Sequence, residues 1–152
     1  MTQPDEMMTR IGHGIELSQR GDRDQARRLF ADLWEQVGPQ GDAFHRCALA
    51  HSMADVQDDP HEELAWDLRA LKAADLVSDE RAAQAGVGSP VAVFYPSLHL
   101  NLWEVYRKLG DPQAARRHLD LGRAAAGALG QDGYSDMIRR GLQGLEQRLS
   151  AG

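Results

Sequence analysis

Leu98–Leu119, which reads LHLNLWEVYRKLGDPQAARRHL, is the stretch whose reading decides the fold. Leu98, Leu102 and Tyr106 recur every four residues, with Trp103 beside them, which places them on one face of a helix. Gly110-Asp111-Pro112 ends that helix. Glycine takes the left-handed conformation that closes a helix, and proline at the first position of the next one needs no N–H. Ala115 and Leu119 then restart the helical spacing. Two helices joined by so short a turn run antiparallel, and a single hairpin of this kind cannot bury its apolar side alone.

The same phrase occurs earlier. Ile11, Gly14 and Leu17 precede Gly21-Asp22, and Ala26, Phe30 and Leu33 follow it. A middle copy, Phe44–Ala74, carries Ala50, Met53 and Ala54, then Asp58-Asp59-Pro60, then Leu64, Leu68 and Leu71 as the expected inward face. Second helices are expected to start at Asp22, Asp59 and Asp111, with Gln25 completing a capping box on Asp22. Small residues such as Gly14 and Ala50 let one helix approach its partner closely, and Trp103 is expected in the core. The step from Asp58 to Gly110 is longer than that from Gly21 to Asp58, so an insertion is expected. Ser78-Asp79-Glu80-Arg81 caps a short helix there, Gly86–Pro90 ends it, and Tyr134–Leu149 reads as a last amphipathic helix.

Through Leu102, Tyr106, Gly110-Asp111, Ala115 and Leu119, and through Gly14, Gly21-Asp22, Ala26 and Phe30, the chain resembles tetratricopeptide repeats, units of about 34 residues. His45-Arg46-Cys47, Asp58-Asp59-Pro60 and Tyr95–Leu102 are similar to phrases of small actinobacterial members of that family. The resemblance implies an all-α fold of three antiparallel helix pairs, stacked as a short right-handed solenoid with a C-terminal capping helix. In a single domain 1–152, repeat 1 is expected at about 7–40, repeat 2 at about 42–77, an insertion at about 78–94, repeat 3 at about 95–129 and the cap at about 132–150. It further implies a concave groove that holds a peptide or partner helix, with Ile15, His45, Ser52, Asp55, Leu100, Glu104 and Arg107 as the residues that meet it. Lysines that would grip a C-terminal carboxylate are absent from that wall.

Composition narrows the partner class. A formal charge of −6 argues against nucleic acid, because pairs such as Arg27-Arg28 and Arg116-Arg117 lie among Asp and Glu. No stretch approaches the roughly 20 apolar residues that cross a bilayer, and the polar, acidic N-terminus does not read as a secretory signal, so a cytoplasmic location away from membranes is expected. A single cysteine cannot form an internal disulfide. No cofactor is expected, and oligomeric state is left open, since short arrays can pair to cover their ends.

Three constellations could carry chemistry. Cys47, His51 and Asp55 stand at i, i+4 and i+8, and His99 holds in the third copy the place of Cys47 in the second. A thiol, imidazoles and a carboxylate could form a nucleophile or a metal, redox or catalytic site, the alternative to a scaffold without enzymatic activity. A buried cysteine and a hydrogen-bonded interface histidine are the plainer reading. Asp55, Asp58, Asp59, Glu62 and Glu63, with His61, read as a solvated acidic turn without the loop spacing of a calcium site. Phe94-Tyr95-Pro96, at the end of the insertion, could fold over the groove as a lid on a small molecule.

Overall fold

The computed structural model describes residues 5–84 and 94–127. Among them are seven α-helices and no strand: α1 (Glu6–Gln19), α2 (Arg23–Val37), α3 (Ala43–Asp55), α4 (Pro60–Ala74), α5 (Asp79–Gln84), α6 (Tyr95–Lys108) and α7 (Pro112–Gly127). The expected cap at Tyr134–Leu149 and the Gly86–Pro90 stop lie outside the described residues. No described helix is long and apolar enough to cross a membrane.

Consecutive helices pack as hairpins, α1 on α2, α3 on α4 and α6 on α7, and the hairpins touch in series through α2 and α1 on α3, then α4 on α6. The first and last hairpins turn by one device. Gly21 and Gly110 have φ of 90° and 76°, a conformation other residues resist. Each supports the paired closure of a Schellman motif: Gly21 N–H donates to Ser18 O at 3.0 Å and Asp22 N–H to Leu17 O at 2.9 Å; Gly110 N–H donates to Arg107 O at 3.1 Å and Asp111 N–H to Tyr106 O at 2.9 Å. Orphan carbonyls of the outgoing helix are thereby satisfied, and the aspartate that follows is already in place to open the next helix.

The caps are not equivalent. Asp111 accepts from Ala114 N–H at 3.0 Å and Asp59 from His61 N–H at 2.9 Å, ahead of Pro60. Asp22, by contrast, makes no side-chain cap hydrogen bond, which corrects the expected capping box with Gln25. Ser78 Oγ accepts from Arg81 N–H at 3.0 Å and starts α5 as expected.

Burial follows the predicted faces in α1, α2 and α7 through Ile11, Gly14 and Leu17, then Ala26, Phe30 and Leu33, then Ala115, Leu119 and Gly122. A Cβ on Gly14 would lie 2.4 Å from Phe30 Cε1, so the first hairpin closes only because that side chain is missing. Helix α4 departs from expectation. Its buried residues are Asp67, Ala70, Ala73 and Ala74, while Leu68 is 40% exposed. The hairpin seam favours alanines, which allow close backbone approach; Leu68 is turned outward, while Leu64 and Leu71 stay half-buried at the edge of the seam.

The core is a chain of clusters. Ile11, Phe30, Leu33, Leu49, Met53 and Val56 form one; Cys47, Ala50, Ala70, Ala74 and Leu98 a second; Trp103, Ala115, Leu119 and Ala126 a third. Trp34 and Trp66 pack against both of the first two and meet edge to face at 5.0 Å. Arg46 covers Trp34 and Arg69 covers Trp66, each at 4.4 Å from the ring centre.

Candidate functional site

Two cavities open where α3 faces α6, and their chemistry is opposite. An apolar one of about 250 Å³ is lined by Phe44, Cys47, Ala48 and His51 of α3 and by Phe94, Ser97 and Leu98 at the start of α6. A polar one of about 160 Å³ is lined by Asp55 at the end of α3, Glu63 and Asp67 of α4, and Asn101, Glu104 and Lys108 of α6. His51 lines the first and Asn101 the second, and their Nδ1 and Nδ2 atoms meet at 3.2 Å. That pair lies between the apolar and the acidic cavity.

The apolar cavity contains the thiol without activating it. Burial pushes Cys47 up to about 12, so it stands as a neutral S–H. Among the described residues no hydrogen bond joins Cys47 to His51, and His99 is engaged elsewhere. His99 Nδ1 lies 3.0 Å from His118 Nδ1, and the imidazoles stack on each other and between Tyr95 and Tyr106. Burial, with the charges of His99 and Arg117, drives His118 down to about 4. Burial also lowers His99 against the pull of Asp75. Of the expected Cys47–His51–Asp55–His99 constellation, His99 lies on the last hairpin as expected but turns toward α7 rather than toward Cys47 of α3. Among the described residues no group of three or more His, Cys, Asp or Glu side chains is arranged to hold a metal ion.

Phe94, Tyr95 and Pro96 do not form a separate strap. Tyr95 and Pro96 are the first turn of α6, Pro96 is buried, and the Tyr95 hydroxyl donates to Asp75 Oδ1 at 2.6 Å. Phe94 alone walls the cavity, 6.1 Å from the Phe44 ring.

In the acidic cavity, four carboxylates from three helices face one lysine. Lys108 Nζ donates to both oxygens of Glu63, at 3.1 and 3.2 Å, and is committed there. Arg23 reaches the end of α3 but donates to the Asp55 backbone oxygen at 3.1 Å, while its other contacts go to Gln57 O and Asp58. Asp67 is 3% exposed, and no described residue donates a hydrogen bond to its carboxylate. Burial, then Glu63 and Asp55, push it up to about 8 against the pull of Lys108. Asp55 is raised too, by burial of its inner side and by Glu104, against His51 and Arg23.

Of the residues expected to meet a partner, Asp55 and Glu104 line this cavity. Arg107 is exposed and lies 5.5 Å over the Trp103 ring, Ile15 is exposed on α1, and Leu100 is half-buried against the third cluster. Ser52 is only 6% exposed, so the expectation that it faces the groove is corrected: α3 is enclosed on several sides and leaves little of its surface open. His45 is committed to a network, its Nε2 2.8 Å from Asp5 Oδ2, with Arg81 bound to Asp42 at 2.6 Å. Burial alone would raise the Asp42 carboxyl, but Arg81, the Phe44 N–H and neighbouring charge hold it below the usual range. This network ties the caps of α1 and α3 to α5.

Asp67 was not among the sequence candidates. The available signal was its place on the stripe Asp67-Ala70-Ala74, one turn beyond Glu63, a lone carboxylate among small residues that pack. Asp58 and Asp59, grouped with the acidic turn, serve structure: Asp58 pairs with Arg23 and Arg27, and Asp59 caps α4. Compared with protein-family models, curated proteins and solved structures, the chain finds no match.

Proposed function

We propose that the chain is a binding module without enzymatic activity, a short right-handed succession of tetratricopeptide-like helix pairs that holds a peptide or partner helix in the groove between α3 and α6. The observation that carries this reading is the juxtaposition of an apolar and an acidic cavity where α3 faces α6, with the His51–Asn101 pair between them. Apolar contacts at one end supply affinity and charges at the other fix register. The shared Gly-Asp turns of the first and last hairpins support the repeat character. Cys47 as a neutral thiol weighs against chemistry at that residue. A cytoplasmic protein partner fits the reading, and nucleic acid does not fit an acidic groove.

Affinity capture from native lysate tests it. Ala48→Trp fills the apolar cavity, and Glu104→Arg reverses charge at the acidic one. Each should abolish capture of whatever the wild type retains, whereas Arg28→Glu, exposed on α2 and lining neither cavity, should not. Retention by both groove variants would move the interface elsewhere. A second reading, a small apolar ligand, is favoured by the Phe44–Phe94 wall of the apolar cavity; in that case Ala48→Trp alone would eliminate binding.

A further inference from the structure

The acidic cavity has a feature that an ordinary acidic turn lacks. Asp67 projects from the buried stripe of α4 into the cavity, is 3% exposed, and has no hydrogen-bond or ion-pair partner among the described residues. A polar group buried without a partner is costly, and a charge more so. Asp55 and Glu104 avoid that cost by facing water, whereas Asp67 opens only on the cavity. Glu63, one turn earlier on α4, and Asp55 of α3 and Glu104 of α6 line the same space, and the one lysine present is held by Glu63. Asp55 and Glu104 are exposed and Asp67 is buried behind them, and none of the three forms an ion pair with a described cation.

The complement is a cation, and the geometry selects its kind. No set of three ligands fit for a metal ion is formed among the described residues. The cavity, at about 160 Å³, far exceeds the roughly 15 Å³ that one water needs. Carboxylates arriving from α3, α4 and α6 present acceptors on several sides. A planar guanidinium, with five donors in a fixed fork and a weakly held hydration shell, matches that arrangement better than a compact ammonium or a metal. Asn101, whose amide already reaches His51, adds a neutral polar wall.

We propose that the cavity formed by Asp55, Glu63, Asp67, Glu104 and Asn101 is a receptor for an alkylguanidinium group, with Asp67 as its buried acceptor. The group is carried by an arginine of the partner or by a free small molecule. In the first case the inference deepens the groove reading and rests on it; in the second it stands without it.

The full chain is titrated, with heteronuclear NMR and calorimetry as readouts, against butylguanidinium, its uncharged analogue butylurea, magnesium chloride, and an acetylated pentapeptide with one central arginine. Butylguanidinium is expected to bind saturably and shift the amides around Asp67 and Glu104, and butylurea is not. At pH 9, where the Asp67 carboxyl is ionised, Asp67→Asn and Glu104→Gln should each weaken binding by roughly tenfold or more, the loss of a charge-assisted contact. Asp32→Asn, exposed on α2, should leave it unchanged. Helical circular dichroism confirms that each variant is folded.

Binding of both butylguanidinium and the peptide supports the receptor and its place in a peptide groove. Butylguanidinium alone supports the receptor and removes the peptide as its source. The inference is overturned if neither cation binds, if Asp67→Asn binds as well as the wild type, or if magnesium binds in preference. Peptide binding that ignores Asp67, with no butylguanidinium binding, overturns it while leaving the groove reading intact.

Discussion

Asp67 and His118 are two buried titratable residues that pull stability in opposite directions. The Asp67 carboxyl is raised from 3.8 to about 8, so folding favours its protonated form, and its contribution is lost as pH rises between those values. Asp67→Asn should therefore raise stability at pH 7 by about 1–3 kcal/mol and flatten the alkaline side of the stability profile, measured by urea unfolding. A less stable variant at pH 7 would mean that the carboxylate has a native partner. His118 is lowered from 6.5 to about 4, so its contribution is present above 6.5 and lost as pH falls toward 4. His118→Phe should remove that acid-side loss, at the cost of leaving the His99 Nδ1 without its partner. Neither residue could be read from spacing alone. A histidine or aspartate at a helical position carries no sign of which neighbour it will meet, and His99 met His118 across a hairpin rather than Cys47 across two. Asp55 and Glu104 were legible because the repeat resemblance puts them on the groove wall, and both line the acidic cavity; Asp67 was hidden because α4 buries an aspartate and alanines where Leu64, Leu68 and Leu71 were expected.

For the helices, the sequence signals that held were those with a backbone cause. Gly21 and Gly110 take positive φ, and Gly14 makes room for Phe30; these positions admit few substitutes, so their meaning survives without context. Asp111 caps its helix after the same Schellman closure and Asp22 does not, because the Asp22 backbone, at φ −84° and ψ 57°, departs from the extended conformation that aims a capping side chain at the first turn. Two comparisons follow. Asp111→Ala should cost about 0.5–2 kcal/mol of stability, as loss of a helix cap does, while Asp22→Ala should cost clearly less in the same thermal-unfolding series. Gly14→Ala should destabilise by about 1–3 kcal/mol through overpacking, and adding Phe30→Leu should recover part of the loss. Equal costs for the two aspartates, or a Gly14→Ala protein as stable as its parent, would contradict these assignments.

Across the whole molecule, the hairpins touch in series and the core is divided accordingly, so distant substitutions should not sense one another. Ile11→Val in the first cluster and Leu119→Ala in the third should have additive effects within about 0.5 kcal/mol, whereas Ile11→Val and Leu33→Ala, in one cluster, should depart from additivity. Coupling between Ile11 and Leu119 as large as that between Ile11 and Leu33, measured by double-mutant cycles, would indicate a single cooperative core. The seam between the first two hairpins has a further consequence. Trp34 and Trp66, 5.0 Å apart with planes at 84°, are close enough for their electronic transitions to mix. Such mixing splits one absorption into a two-signed dichroic band, distinct from the signal of the helical backbone. Parting of these hairpins thus becomes visible as the disappearance of that couplet, even in a sample whose helicity is unchanged.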